Sequence, residues 1–360
     1  MIKVIFLGIY LGILFPLADL SAQNQIVGLS IAPQVGFLLP HRSTMAHLNT
    51  GHSYGGKLST VFQTNGTKQW HHDFLFPRIE SDIFFYDLGN PEILGNAFGV
   101  QSGLYLPFFR GKSWSFGSLL GFGIAYITKT YDSEENPKNN VIGSHFNTIA
   151  NLGIRVEKQF HHNSIGVEIS MTHLSNGAYK LPNLGINLPF LGFNYTHFLE
   201  PLHFQKEASS KYTGLPLKTW AFYTQLIGSF KQVYPTGGNT YGVVGLTNYA
   251  QYRVKTKLII EGGIDAIYNQ SIIKNSQEDL DRINNFQIGL YAAYVLPMSK
   301  MQLMVGMGRY VINPISPSGM WYHRFGARLR FTDLLWGHFM IKSNWAKADY
   351  FEYGLTYRWK

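Results

Sequence analysis

The chain has no cysteine in 360 residues. That excludes disulfides, thiolate metal sites and a cysteine nucleophile. Charge is scarce too, with Asp, Glu, Lys and Arg making up only 14%, low for a soluble domain. Long apolar runs are missing as well, apart from Val4 to Phe15 near the start. That run is too short for a spanning helix, which needs about 20 residues. It follows Lys3 and precedes the small pair Ser21-Ala22. This is the pattern of an export signal. Residues 1–22 are therefore expected to be removed after Ala22, leaving 23–360 as the mature protein. Elsewhere Gly, Asn, Thr, Lys or Arg breaks every apolar stretch, so no other spanning helix is expected.

What the chain does have is aromatic side chains, at 15%, and 37 glycines. Period-2 alternation is the dominant pattern. Near the C-terminus Phe351, Tyr353, Leu355, Tyr357 and Trp359 fall on one face, with Glu352, Gly354, Thr356 and Arg358 on the other. Phe325, Ala327, Leu329 and Phe331 alternate with Arg324, Gly326, Arg328 and Arg330 in the same way. An aromatic face opposite a charged one suits lipid outside and water inside. An all-β fold is expected: a transmembrane antiparallel β-barrel of about 16 strands, with 12 or 14 as alternatives. Strands are predicted over 26–39, 53–64, 70–86, 96–108, 114–130, 146–160, 163–175, 187–199, 217–231, 240–254, 257–269, 286–297, 300–312, 321–332, 335–345 and 350–359. With the first strand running outward, short turns such as 111–113 and 161–162 fall inside. Longer loops such as 131–145 and 270–285 fall outside. Residues 200–216 break this rule as a long inner connection. Since lipid tolerates no open sheet edge, the strands after 199 are expected to widen a single barrel.

The formal net charge is +9. A basic excess points to an anionic partner, nucleic acid or phosphorylated lipid, and an exported barrel meets the lipid. The plainer alternative is that the basic residues line a wet interior.

The seventh strand carries the chemistry. Ile165, Val167, Ile169, Met171, His173 and Ser175 share one face, and Ser164, Gly166, Glu168, Ser170 and Thr172 the other. The apolar face should meet lipid, so a His and a Ser sit on the lipid side at the outer tip. Polar groups are costly there without partners or a task. Side chains at i and i+2 of a strand share a face, so an imidazole can take the proton of a neighbouring hydroxyl. The next strand brings Asn187, in phase with Pro189, Leu191 and Phe193, to the same outer face. Asn187 is placed to orient the imidazole.

From His173 onward the sequence resembles a family. His173-Leu174-Ser175-Asn176, Lys180, Pro182-Asn183 and Gly185-Ile186 match without a gap the motif of the lipid A 3-O-deacylases. The resemblance is specific over roughly 163–199 and topological over about 26–199. It implies an eight-stranded outer-membrane barrel as the catalytic segment, 23–199, followed by additional strands over 200–360. It implies hydrolysis of an ester-linked acyl chain of lipid A, with lipopolysaccharide and membrane lipid as partners and no nucleic acid. Ser175 would be the nucleophile and His173 the base. Asn183 would supply the oxyanion hole with N–H groups near Asn176 and Gly177, and Lys180 would contact substrate phosphate. No cofactor or metal is implied. One departure stands out: the family's glutamate is Asn187 here. An amide can hold the imidazole through its oxygen but cannot stabilise the imidazolium by charge, so reduced activity is expected. Asp132, Glu134 and Glu135 in the facing loop are candidate substitute acids, whereas Glu168 should point inward.

The rival reading is a non-catalytic pore or transport barrel that keeps the motif as a structural loop. His173 and Ser175 would then be girdle residues beside a turn. Weaker candidates are the pairs His71-His72 and His161-His162, whose members should point to opposite strand faces and so not ligate one metal. The stretch Pro235 to Asn239 reads as a turn, and Trp345 to Asp349 as a hairpin tip.

Overall fold

The computed structural model describes residues 25–208, 214–276, 281–315, 319–345 and 347–359. The expected export signal lies outside them. Among the described residues the fold is all-β, with sixteen antiparallel strands. The first eight are β1 (Gln25–Phe37), β2 (His52–Thr64), β3 (Arg78–Asp87), β4 (Asn96–Arg110), β5 (Trp114–Ile127), β6 (Phe146–Gln159), β7 (Asn163–Ser175) and β8 (Ile186–Phe198). The rest are β9 (Trp220–Gln232), β10 (Thr240–Lys255), β11 (Leu258–Asn269), β12 (Phe286–Met298), β13 (Met301–Ile312), β14 (Trp321–Arg330), β15 (Leu335–Asn344) and β16 (Lys347–Arg358).

The strand number agrees with the sequence, but the single widened barrel does not. The sixteen strands close as two barrels, β1–β8 and β9–β16. β8 pairs back onto β1 from Gly28↔Phe198 to Gly36↔Phe190, and β16 pairs with β9 from Tyr353↔Gly228 to Arg358↔Tyr223. The premise of no open edge is met twice, because eight strands already suffice to close a sheet. A second correction concerns residues 70–77. Gln69–Asp73 is a short helix and β3 begins only at Arg78. His71 Nδ1 accepts from the N–H of Gly66 at 3.2 Å, which ties its ring to this inner turn.

The described residues fall into two compact units. The first comprises 25–176 and 182–208, the second 177–181 with 214–359. Within the first, alternation sorts side chains as the sequence implies. On β7 the outward Ile165, Val167 and Ile169 are exposed, while Ser164, Glu168, Ser170 and Thr172 are buried in the lumen. No described helix is long and apolar enough to cross a membrane; the crossing elements are strands.

The lumen of the first barrel is filled by ion pairs. Arg78 meets Glu157 at 2.9 and 2.6 Å. Arg155 bridges Glu80 at 2.6 Å and Glu168 at 2.7 Å, and Lys57 reaches Glu168 at 3.1 Å. Glu168 thus points inward. Above this layer a buried apolar cluster occupies the outer end. It joins inward strand residues such as Tyr86, Leu174 and Phe190 to loop residues such as Leu48, Leu94 and Ile142. Such a plug leaves backbone loops a rigid floor to stand on.

In the second barrel Arg324 pairs with Asp265 and Glu352, and Arg328 with Glu261. Leu355, Tyr357 and Trp359 are exposed, opposite the buried Glu352 and Thr356. Pro235 to Asn239 lies between β9 and β10 with no helix after it. Asp349, at the start of β16, forms an ion pair with Lys231.

Candidate active site

Antiparallel pairing of β7 and β8 puts Asn187 directly across from His173. The two side chains meet, with Nδ1 of His173 2.6 Å from Oδ1 of Asn187. A carbonyl oxygen only accepts, so Nδ1 carries the proton and Nε2 keeps its lone pair. His173 is half-buried on the outward face, above the apolar band of Ile165, Val167, Ile169 and Met171.

Ser175 ends β7 and is buried. Its Oγ lies 3.1 Å from Nδ2 and 3.2 Å from Oδ1 of Asn183. Oδ1 of Asn183 also accepts the backbone N–H of Asn176 at 3.0 Å. That bond orients the amide and leaves Nδ2 as a donor beside Oγ. It also occupies the Asn176 N–H. The Asn176 side chain donates to Ser144 Oγ at 2.8 Å, anchoring the turn to the facing loop. An isolated bridge between Ile142 and Asn183 adds to this, as does the Gly185 N–H bond to Val141 O at 3.2 Å. Gly177 and Lys180 belong to the second unit. Gly177 is buried with φ 65°, and Lys180 is exposed.

The candidate substitute acids do not take the glutamate's place, because the Asn187 amide holds His173 Nδ1. Asp132 accepts the N–H groups of Glu134 and Glu135 at 2.8 and 3.0 Å, capping its own turn. The sequence reading missed two groups at this site. Ser144 braces Asn176, and His41 touches Asn187 from the β1–β2 connection. Neither stands in any spacing with the motif.

Gly185 is needed for two reasons. Its φ is 79°, a region costly for other residues. A Cβ there would fall 2.6 Å from Cε1 and 3.2 Å from Nε2 of His173. Gly185→Ala is therefore expected to displace the imidazole. A shift of this kind costs about 10²-fold in turnover. The check is kcat alongside the heat-dependent gel mobility of a folded barrel; unchanged kcat would show that the ring tolerates the methyl.

The comparisons with known proteins bear on both halves of the chain. Residues 45–197 match the family model described as lipid A 3-O-deacylase (PagL). Residues 220–360 match the model described as acyloxyacyl hydrolase, C-terminal domain. Together the two matches span most of the chain. The chain belongs to the lipid A deacylase (PagL) family. The first PagL match runs from before β2 through most of β8, and the second coincides with β9–β16. No curated protein matches the chain. Among solved structures, the chain is similar to the crystal structure of the outer membrane enzyme PagL. Identity is 17% with a TM-score of 0.30, covering 46% of this chain and 97% of that one. It is also similar to a Salmonella typhi OmpF complex with daunomycin, with 11% identity and a TM-score of 0.20, covering 93% and 97%. A Rhodopseudomonas blastica porin triple mutant gives 8% identity and a TM-score of 0.18, covering 93% and 100%. The PagL family is one of ester hydrolases of the outer membrane, and this chain shares that membership.

Proposed function

We propose that this protein is an outer-membrane esterase that removes an ester-linked acyl chain from lipid A by a Ser–His–Asn mechanism. The observation that carries the reading is the pair of side-chain contacts at the outer tip of β7. His173 is held through Nδ1 by Asn187, and Ser175 Oγ has an amide donor, Asn183 Nδ2, beside it. His173 Nε2 takes the proton of Ser175 as Oγ attacks the ester carbonyl. Asn183 Nδ2, with the backbone N–H of Gly177, stabilises the developing oxyanion. The imidazolium then protonates the leaving sugar oxygen. Water, deprotonated by the same Nε2, cleaves the acyl-serine and releases the fatty acid. Substrate enters sideways from the outer leaflet, because the catalytic face is the one that meets lipid. Lys180, exposed on the loop, contacts a lipid A phosphate.

The export signal of residues 1–22 is cleaved after Ala22. Residues 23–199 form the catalytic barrel, and 200–360 supply the second one. Because an amide replaces the family's carboxylate, turnover is slow relative to a glutamate-bearing relative. A conducting pore is disfavoured by the ion pairs across the first lumen and the apolar plug above them.

The purified protein in detergent, given lipid A, is expected to produce a species lighter by one acyl chain and an equal amount of free fatty acid, read by mass spectrometry. Unaltered lipid A together with stepwise ion conductance in planar bilayers would instead establish the pore.

A further inference from the structure

A carboxylate presents two equivalent oxygens to a histidine, but an amide does not. If Asn187 turned by half a revolution about its last bond, Nδ2 would face His173 Nδ1. His173 would then have to accept there, its proton would move to Nε2, and no base would remain for Ser175. An amide at this position therefore needs a second partner that fixes which end faces the imidazole. The family's glutamate has no such need.

His41 is placed to do this. β1 pairs with β8 along its length, and the pairing continues past the strand end, where the Leu39 N–H bonds to Asn187 O at 2.9 Å. Two residues further on, Nδ1 of His41 lies 3.0 Å from Nδ2 of Asn187. An amide nitrogen only donates, so His41 accepts at Nδ1 and carries its own proton on Nε2, the form a neutral imidazole prefers in water. Three groups then form one directed chain. Asn187 Nδ2–H donates to His41, His173 Nδ1–H donates to Asn187 Oδ1, and His173 Nε2 is left as the base.

We propose that His41 is a positioning residue that selects the catalytic tautomer of His173 by fixing the orientation of the Asn187 amide. The inference rests on the Ser175–His173 reading above. It adds that the loss of the glutamate is offset by a histidine from a different strand connection. His41 is exposed, so its one bond is worth what a solvent-accessible hydrogen bond is worth, about a factor of ten in population.

The test varies only the donor or acceptor character at position 41. His41→Asp puts an acceptor-only oxygen where Nδ1 stands and should keep kcat close to the wild-type value. His41→Ala removes the bias, leaves the two orientations about equally populated, and should lower kcat about twofold at unchanged KM. His41→Lys offers only donors, should reverse the amide's preference, and should lower kcat about tenfold. In an Asn187→Glu background, where nothing needs orienting, His41→Lys should change kcat less than about twofold. Equal effects of all three substitutions, or a full His41→Lys loss of about tenfold in the glutamate background, would overturn the proposal. A Ser175→Ala protein that still releases fatty acid would overturn the parent reading instead. The ¹⁵N shifts of the His173 ring give a readout independent of turnover. They should report Nδ1–H in the wild type and in His41→Asp, and a mixture of tautomers in His41→Ala. Nδ1–H in all of these proteins would also refute the role of His41.

Discussion

Replacing Ser175 with alanine is expected to reduce fatty acid release by at least ~10³-fold. The substitution removes one oxygen at the end of β7 and with it the hydrogen bonding to Asn183. The ion-paired lumen and the plug beneath are untouched, so the barrel should keep its gel mobility. His173→Ala should give a loss of similar size. Groups that act as one unit lose their joint effect when either is removed, so the double variant should be about as inactive as each single one. Multiplied losses in the double variant would mean that His173 and Ser175 act independently. Losses below tenfold would return the motif to a structural turn. The readout is the rate of acyl loss from lipid A, measured by mass spectrometry over time.

The second large effect concerns stability. Arg155 is 1% exposed and holds Glu80 and Glu168 at once, with bonds of 2.6 to 3.2 Å. Arg155→Met leaves Glu80 without its closest cation and Glu168 with Lys57 and the Gln34 amide. Breaking one side of a buried ion network costs about 3–5 kcal/mol, because the remaining charge stays desolvated. The first barrel should unfold at correspondingly lower urea in detergent micelles. The paired exchange Arg155→Met with Glu80→Leu should recover most of the loss, since it removes the stranded charge together with its partner. A shift under about 1 kcal/mol for the single variant would mean that water already solvates the lumen, which would favour a conducting interior.

Much of the fold was legible because strand patterning is local. Lipid outside and ion pairs inside force a period of two, so Ile165 to Met171 and Glu168 announce their faces without reference to the rest of the chain. The juxtaposition of His173 and Asn187 was legible for the same reason, as both stand in phase on consecutive strands. The helix at Gln69–Asp73 was misread because its neighbours alternate and its five residues are too few for a helical period to emerge.

Closure into two barrels was not legible, since β8 and β9 carry the same alternation whether they bond to each other or turn back to β1 and β16. The long connection after residue 199 was the one mark of the break. His41 was hidden for a related reason: it lies 146 residues from Asn187 in sequence and meets it only because β1 closes on β8. The sequence alone determined the β architecture, the outward face of His173 and the replacement of the glutamate by an amide, because each follows from residue identity and a two-residue period. Which strands close a ring, and which histidine holds the amide in place, were decided by tertiary structure, because hydrogen bonding between distant strand edges is what brings those residues together.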